Sequence, residues 1–199
     1  MKEFLVFLFF ILLIGCGTPT KKPRNVIGNE PTNTTKTIIS PTVIEPSIPK
    51  GAVVGNYNGD FNTFYATISS IDVRSETTVI SFEKNKYPFL KIPKTVGGTI
   101  STLVLDGFDR DLLLVTAKLK DPNFNKYYLY VLRNNQWKPV INGFAIHKSN
   151  KPDTLVPLKI NPNNPKEIVR YYSVFDLDAT SELGYTWRLL QEIVPIENW

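Results

Sequence analysis

The segment Leu112 to Leu119, LLLVTAKL, opens as a continuous apolar run and ends in alternation. That pattern suits a strand buried on both faces at one end and on one face at the other. The same period of two runs through Phe64, Ala66 and Ile68, and again through Thr78, Ile80 and Phe82. Thr99 to Leu105, Tyr127 to Leu132 and Val169 to Val174 add β-branched and aromatic runs, separated by Gly, Pro, Asn and Asp clusters. Between Glu182 and Val194, Trp187, Leu190 and Val194 match a helical face, but Gly184-Tyr185-Thr186 and the surrounding strands favour a final strand. The class expected is all-β, in one domain over residues 51–199.

Two other segments precede that domain. The first fifteen residues carry Lys2 and then an apolar run from Phe4 to Ile14. That run is too short for a bilayer core of about 30 Å, so it reads as the apolar part of a signal peptide. It ends in Leu13-Ile14-Gly15-Cys16, which resembles the lipobox of bacterial lipoproteins. The resemblance implies cleavage before Cys16 and lipid on its sulfur, and the chain's single cysteine stands at that position. No second cysteine is left for a disulfide, so the fold rests on its core. Several acyl chains, at about 0.8 kcal/mol per buried methylene, would make the membrane attachment permanent.

Residues 16–50 form the expected linker. From Gly17 to Lys50 the chain is crowded with Thr, Asn and Pro and has no aromatic residue, so it cannot bury enough apolar surface to order itself. Extended, it would reach on the order of 100 Å at about 3.1 Å per residue. Lys21, Lys22 and Arg24 either meet anionic headgroups or keep the linker solvated. Ile38-Ile39 to Val43-Ile44 is a candidate edge strand for the domain.

Within the domain, strands starting near Phe64, Leu112 and Ile168 share one grammar: a polar lead-in, an apolar strand, a turn and a second strand. The spacing of about 50 residues lies in the range of propeller blades. Gly55-Asn56-Tyr57-Asn58-Gly59-Asp60, and Asp106-Gly107-Phe108-Asp109-Arg110-Asp111 before Leu112-Leu113-Leu114-Val115, resemble the acidic loop and strand of FG-GAP or VCBS-type repeats. That resemblance implies hairpin repeats stapled by calcium. Three units are too few for a propeller of about four to eight blades. The expected architecture is therefore antiparallel hairpin repeats forming a partial propeller or a twisted β-sandwich.

The calcium candidates are Asp60 in the first loop and Asp106, Asp109 and Asp111 in the second. Calcium takes six to eight oxygens, several from carboxylates. The first loop offers one carboxylate, and the second has Arg110 among its acids, where a tight turn and an Asp109–Arg110 pair compete as explanations. Asp176, Asp178 and Glu182 have similar spacing but follow their strand. Acids among Asp106, Asp109, Asp111, Asp176 and Asp178 could also form the pair that glycoside hydrolysis requires. His147, the only histidine, cannot build a multi-histidine zinc site, and Ser149 nearby does not make a triad.

The net charge of +5 is spread along the chain and interleaved with acids, which argues against a nucleic-acid partner. Tyr127, Tyr128, Tyr130, Trp137, Tyr171, Tyr172 and Trp187 are numerous enough for a protein- or glycan-binding surface, although strand aromatics are first of all core. The expectation is a lipid-anchored, non-catalytic cell-envelope protein with a binding or structural β domain. Its competitors are an envelope glycan hydrolase and a calcium-stapled structural domain. Gly17 is not the aspartate that signals inner-membrane retention in Gram-negative lipoproteins, so the resemblance favours the outer membrane.

Overall fold

The computed structural model describes residues 47–197. The signal segment, Cys16 and the linker through residue 46 lie outside the described residues, as does the edge-strand candidate at 38–44.

The domain is all-β. Its first sheet is an antiparallel meander of β1 (Val53–Gly55), β2 (Phe64–Asp72), β3 (Thr77–Phe82) and β4 (Leu90–Pro93). The second is a meander of β5 (Gly98–Leu103), β6 (Leu112–Lys118), β7 (Phe124–Arg133) and β8 (Gln136–His147). The third has three strands, β9 (Leu158–Asn161), β10 (Asn164–Leu177) and β11 (Tyr185–Pro195), with β10 in the middle. Two short 3₁₀ turns, Glu83–Asn85 and Lys148–Asn150, interrupt the connections. Tyr185 to Pro195 is strand, not helix, and Phe64, Leu112 and Ile168 lie in β2, β6 and β10, each the second strand of its sheet in chain order. Ile193 to Pro195 covers the edge of β10 as the end of β11.

The second sheet is the middle layer, and β6 shows why its sequence loses alternation. Leu113, Val115 and Ala117 join Phe64, Ile80, Phe82 and Ile92 of the first sheet, and Tyr57 of the β1–β2 loop, in one buried cluster. Leu112 turns the other way and joins Leu129, Val140, Ile141, Leu158 and Ile168 in a second cluster against the third sheet. A strand with both faces covered needs apolar residues at consecutive positions. The β7–β8 hairpin closes through Asn134 and Asn135, both with positive φ, as a two-residue turn of the primed type requires.

Strand directions define two ends. Leu112, Arg133 and Gln136 lie at what we term the upper end of the middle sheet; Lys118, Phe124 and His147 lie at the lower end. The Asn56 loop is upper, because the Asn56 and Asp111 backbones bond to each other's residues. The β2–β3 turn is lower, since Thr95 N bonds Glu76 O while Val96 N bonds Lys118 O. The β10–β11 hairpin tip is also lower, beyond Ser173, whose hydroxyl accepts from His147 N at 2.9 Å.

Candidate functional site

The two loops singled out in the sequence come together at the upper end. Asn56 N donates to Asp111 Oδ2 at 2.7 Å, and Asp111 N donates to Asn56 O at 3.1 Å. Gly59 has φ +73°, and a Cβ there would lie 3.2 Å from Asp109 O. The glycine of the first loop thus serves close approach to the second loop.

The carboxylates are engaged by protein donors. Asp60 accepts from Asn58 Nδ2 at 2.8 Å and Asn62 N at 3.0 Å, and these bonds, the Asn58 one first, hold its carboxyl below the usual range. Asp109 is gripped through both oxygens by Arg110, with Nε and Nη2 at 2.9 and 2.8 Å, and Arg133 Nη1 adds a bond of 2.9 Å. The Arg110 guanidinium, then Arg133, drives the Asp109 carboxyl far below its ordinary value. Arg110 also donates to Leu132 O at 2.8 Å, which ties the loop to the end of β7. Asp106 is exposed.

These donor sets do not fit calcium. The Asn56 side-chain oxygen is buried without a partner, but one amide oxygen is far from a shell of six to eight. Among the described residues, no group of three or more His, Cys, Asp or Glu is placed to hold a metal ion.

The third acidic place closes the β10–β11 hairpin at the other end. Asp178 Oδ1 accepts from Thr180 Oγ1 at 2.6 Å and Thr180 N at 2.9 Å, which lowers its pKa. Asp176 lies 3.3 Å from Arg188 Nε. Because β7 alone spans roughly 30 Å at about 3.3 Å per residue, acids at 106–111 and at 176–178 cannot share one glycosidic bond. Asp109, clamped by two arginines, is a poor general acid.

What the lower end does offer is a chain of rings. Phe124 of β7 meets His147 at the end of β8, with centroids 5.0 Å apart, and Trp187 of β11 at 4.8 Å. Trp187 stacks on His147 at 5.3 Å and meets Phe175 of β10 at 5.7 Å, and Phe175 stacks on Tyr185 at 5.1 Å. The register explains the grouping: Phe175 pairs with Trp187 and Leu177 with Tyr185, so all four share one face. Pairing of β10 with β9 stops at Arg170, after which the hairpin continues as two strands. Its apolar side chains are uncovered there: Phe175 is 55%, Leu177 79%, Leu183 72% and Tyr185 37% exposed. A groove bounded by Val96, Leu119, Pro122 and Phe124, and edged by Lys118 and Lys120, adjoins the strip.

Of the aromatics named from sequence, Tyr127 is fully enclosed and Trp137 packs on the first cluster beside Phe82. Tyr128 and Tyr130 stack on each other, partly buried. Only Trp187 belongs to the strip. Phe124, Phe175, Leu177, Leu183 and Tyr185 were not singled out, although the alternation Phe175-Asp176-Leu177 facing Tyr185-Thr186-Trp187 across a turn carries the signal. His147 is half-buried, with Nδ1 2.7 Å from Ser149 Oγ and its ring covered by Trp187 and Phe124. Among the described residues no carboxylate bonds to it.

Compared with known proteins, the chain matches no family model, no curated protein and no solved structure.

Proposed function

We propose that this chain is a non-catalytic, lipid-anchored protein of the cell envelope, attached through Cys16 and seated in the outer membrane, whose β domain binds a protein partner with the ring strip of its lower end. The observation that carries the binding role is the unbroken contact from Phe124 through His147, Trp187 and Phe175 to Tyr185, with the apolar side chains of Phe175, Leu177, Leu183 and Tyr185 in solvent. Contiguous exposed apolar surface rimmed by polar groups marks interaction sites, and aromatic residues dominate the binding energy of such patches. Lys118 and Lys120 at the adjoining groove, and exposed Lys148 next to His147 in the chain, supply the rim. Exposed leucines beside the rings favour a protein over a glycan, which would need hydrogen-bonding groups at those positions.

Two experiments test this reading. Cys16→Ser should move the full chain from the membrane fraction to the soluble fraction, and mass spectrometry of the unaltered chain should find acyl groups on Cys16. A photo-cross-linking residue at 177 should give one discrete adduct in cells, absent when Phe175→Asp is added and absent when the probe sits at exposed Val104. Equal labelling at both positions would overturn the strip as the binding site.

A further inference from the structure

The first two sheets have four strands and the third has three. In the four-stranded sheets the third strand, β3 or β7, is flanked on both sides, whereas β11 pairs only with β10. The direction of its free backbone groups follows from the ladder. Asp178 N bonds Gly184 O at 3.0 Å and Ile196 N bonds Lys166 O at 2.9 Å, at the two ends of a continuous register from Leu177↔Tyr185 to Glu167↔Pro195. Even-numbered residues are therefore the hydrogen-bonded pairs of this hairpin. The odd-numbered residues of β11 turn their N–H and C=O groups away from β10. Tyr185 O accepts from Ser181 Oγ and Trp187 O from Asn150 Nδ2, but from Leu189 to Ile193 no strand among the described residues is hydrogen-bonded to this edge.

An open edge of this length is a template for another strand, and Pro195, which lacks an N–H, ends it. The chemistry along the edge is self-complementary about Leu190. Arg188 and Glu192 stand two places to either side, and Trp187 and Ile193 three places. We propose that β11 pairs antiparallel with β11 of a second copy of this chain, about a two-fold axis at Leu190. In that register Arg188 of each copy faces Glu192 of the other, Leu190 faces Leu190, and Trp187 faces Ile193.

Leu189 and Gln191 become the hydrogen-bonded pairs, as their outward direction demands, while Trp187 O keeps its bond from Asn150 Nδ2. The next allowed registers lose the match: one sets Arg188 against Val194 and Glu192 against Leu190, the other Arg188 against Leu190 and Glu192 against Thr186. Within one copy Arg188 already lies beside Asp176, and Glu192 Oε2 accepts from Arg170 at 2.8 and 3.0 Å. Pairing therefore extends these contacts into a row of alternating sign, Asp176, Arg188, Glu192, Arg170. The interface is isologous and closed, so it ends at two copies. Two three-stranded sheets become one of six, and the two ring strips lie on the same face of it.

The test uses the full chain carrying Cys16→Ser, so that no native thiol competes. In a non-hydrogen-bonded antiparallel pair the Cα atoms are about 4.5 Å apart, within disulfide reach. Leu190→Cys should therefore form a disulfide-linked dimer on mild oxidation. Arg188→Cys alone should not, while a mixture of Arg188→Cys and Glu192→Cys chains should. Light scattering should give twice the monomer mass for the chain with β11 unaltered, and the monomer mass for Gln191→Pro, which deletes an outward N–H. A monomer at all accessible concentrations, or a dimer in which neither the 190 nor the 188–192 cross-link forms, overturns the proposal.

Discussion

At the scale of single residues, the acidic loops are held by protein donors, and pH should reveal it. Asp109 binds its proton more weakly in the folded chain than in the unfolded one, because Arg110 and then Arg133 stabilise the carboxylate. Its contribution is therefore present above about pH 4, the ordinary carboxylate value, and is lost as pH falls below it. The Asp109 side chain is 59% exposed, so solvent screening limits the gain to about 0.5–1 kcal/mol. Asp109→Asn should lower the unfolding free energy at pH 7 by that small amount and flatten the acid limb of stability against pH. An unchanged limb would show that the arginine pair contributes nothing.

The sequence made the Asp109–Arg110 pairing legible, because the two residues adjoin. It could not reveal the grip of Arg133 or the bond from Asn56 N to Asp111, which join positions 24 and 55 residues apart. An acidic loop looks the same in sequence whether its carboxylates meet a cation or an arginine.

Among the elements, β5 and β6 carry the tightest constraints. Gly98 opens β5 at φ +152°, and a Cβ there would come 2.4 Å from Thr116 O and 2.9 Å from Ala117 Cα. Both contacts are with backbone that is itself in a ladder, so Gly98→Ala should cost at least about 2 kcal/mol in urea unfolding. Leu113 in β6 is fully buried between the first and second sheets. Leu113→Ala should cost about 2–5 kcal/mol, and Leu112→Ala a similar amount although it empties space on the opposite side of the same strand. A large effect at only one of the two would mean that one outer sheet is loosely attached.

The positions of β2, β3, β5, β6, β7, β10 and β11 were readable because period-two alternation is a local property of the chain, whereas the long β8 and the short β1, β4 and β9 were not. Which strand faced which layer was not, except in β6, where three successive leucines signalled cover on both faces. The ring strip escaped notice for the converse reason: Phe175 and Trp187 are apolar residues in strands, and only the end of β9 pairing at Arg170 leaves them uncovered.

For the whole domain, the described residues bury two apolar clusters, and the acidic loops are satisfied by protein donors. The thermal midpoint should therefore be the same in excess EDTA and across a calcium titration. A rise that grows with free calcium, in the mass-action form for a ligand of the folded state, would show that the acidic loops hold the ion after all.

Every hydrogen-bonded strand pair in the domain also joins neighbours in the chain. No strand has to wait for a distant one, which keeps the loop-closure cost of each step small. A chain delivered N-terminus first can complete its first ladder by Pro93 and its second by His147. Until β9 to β11 arrive, the third sheet that covers the Leu112 side of the middle sheet is missing, so about the last fifth of the polypeptide decides whether the nascent domain stays out of aggregates.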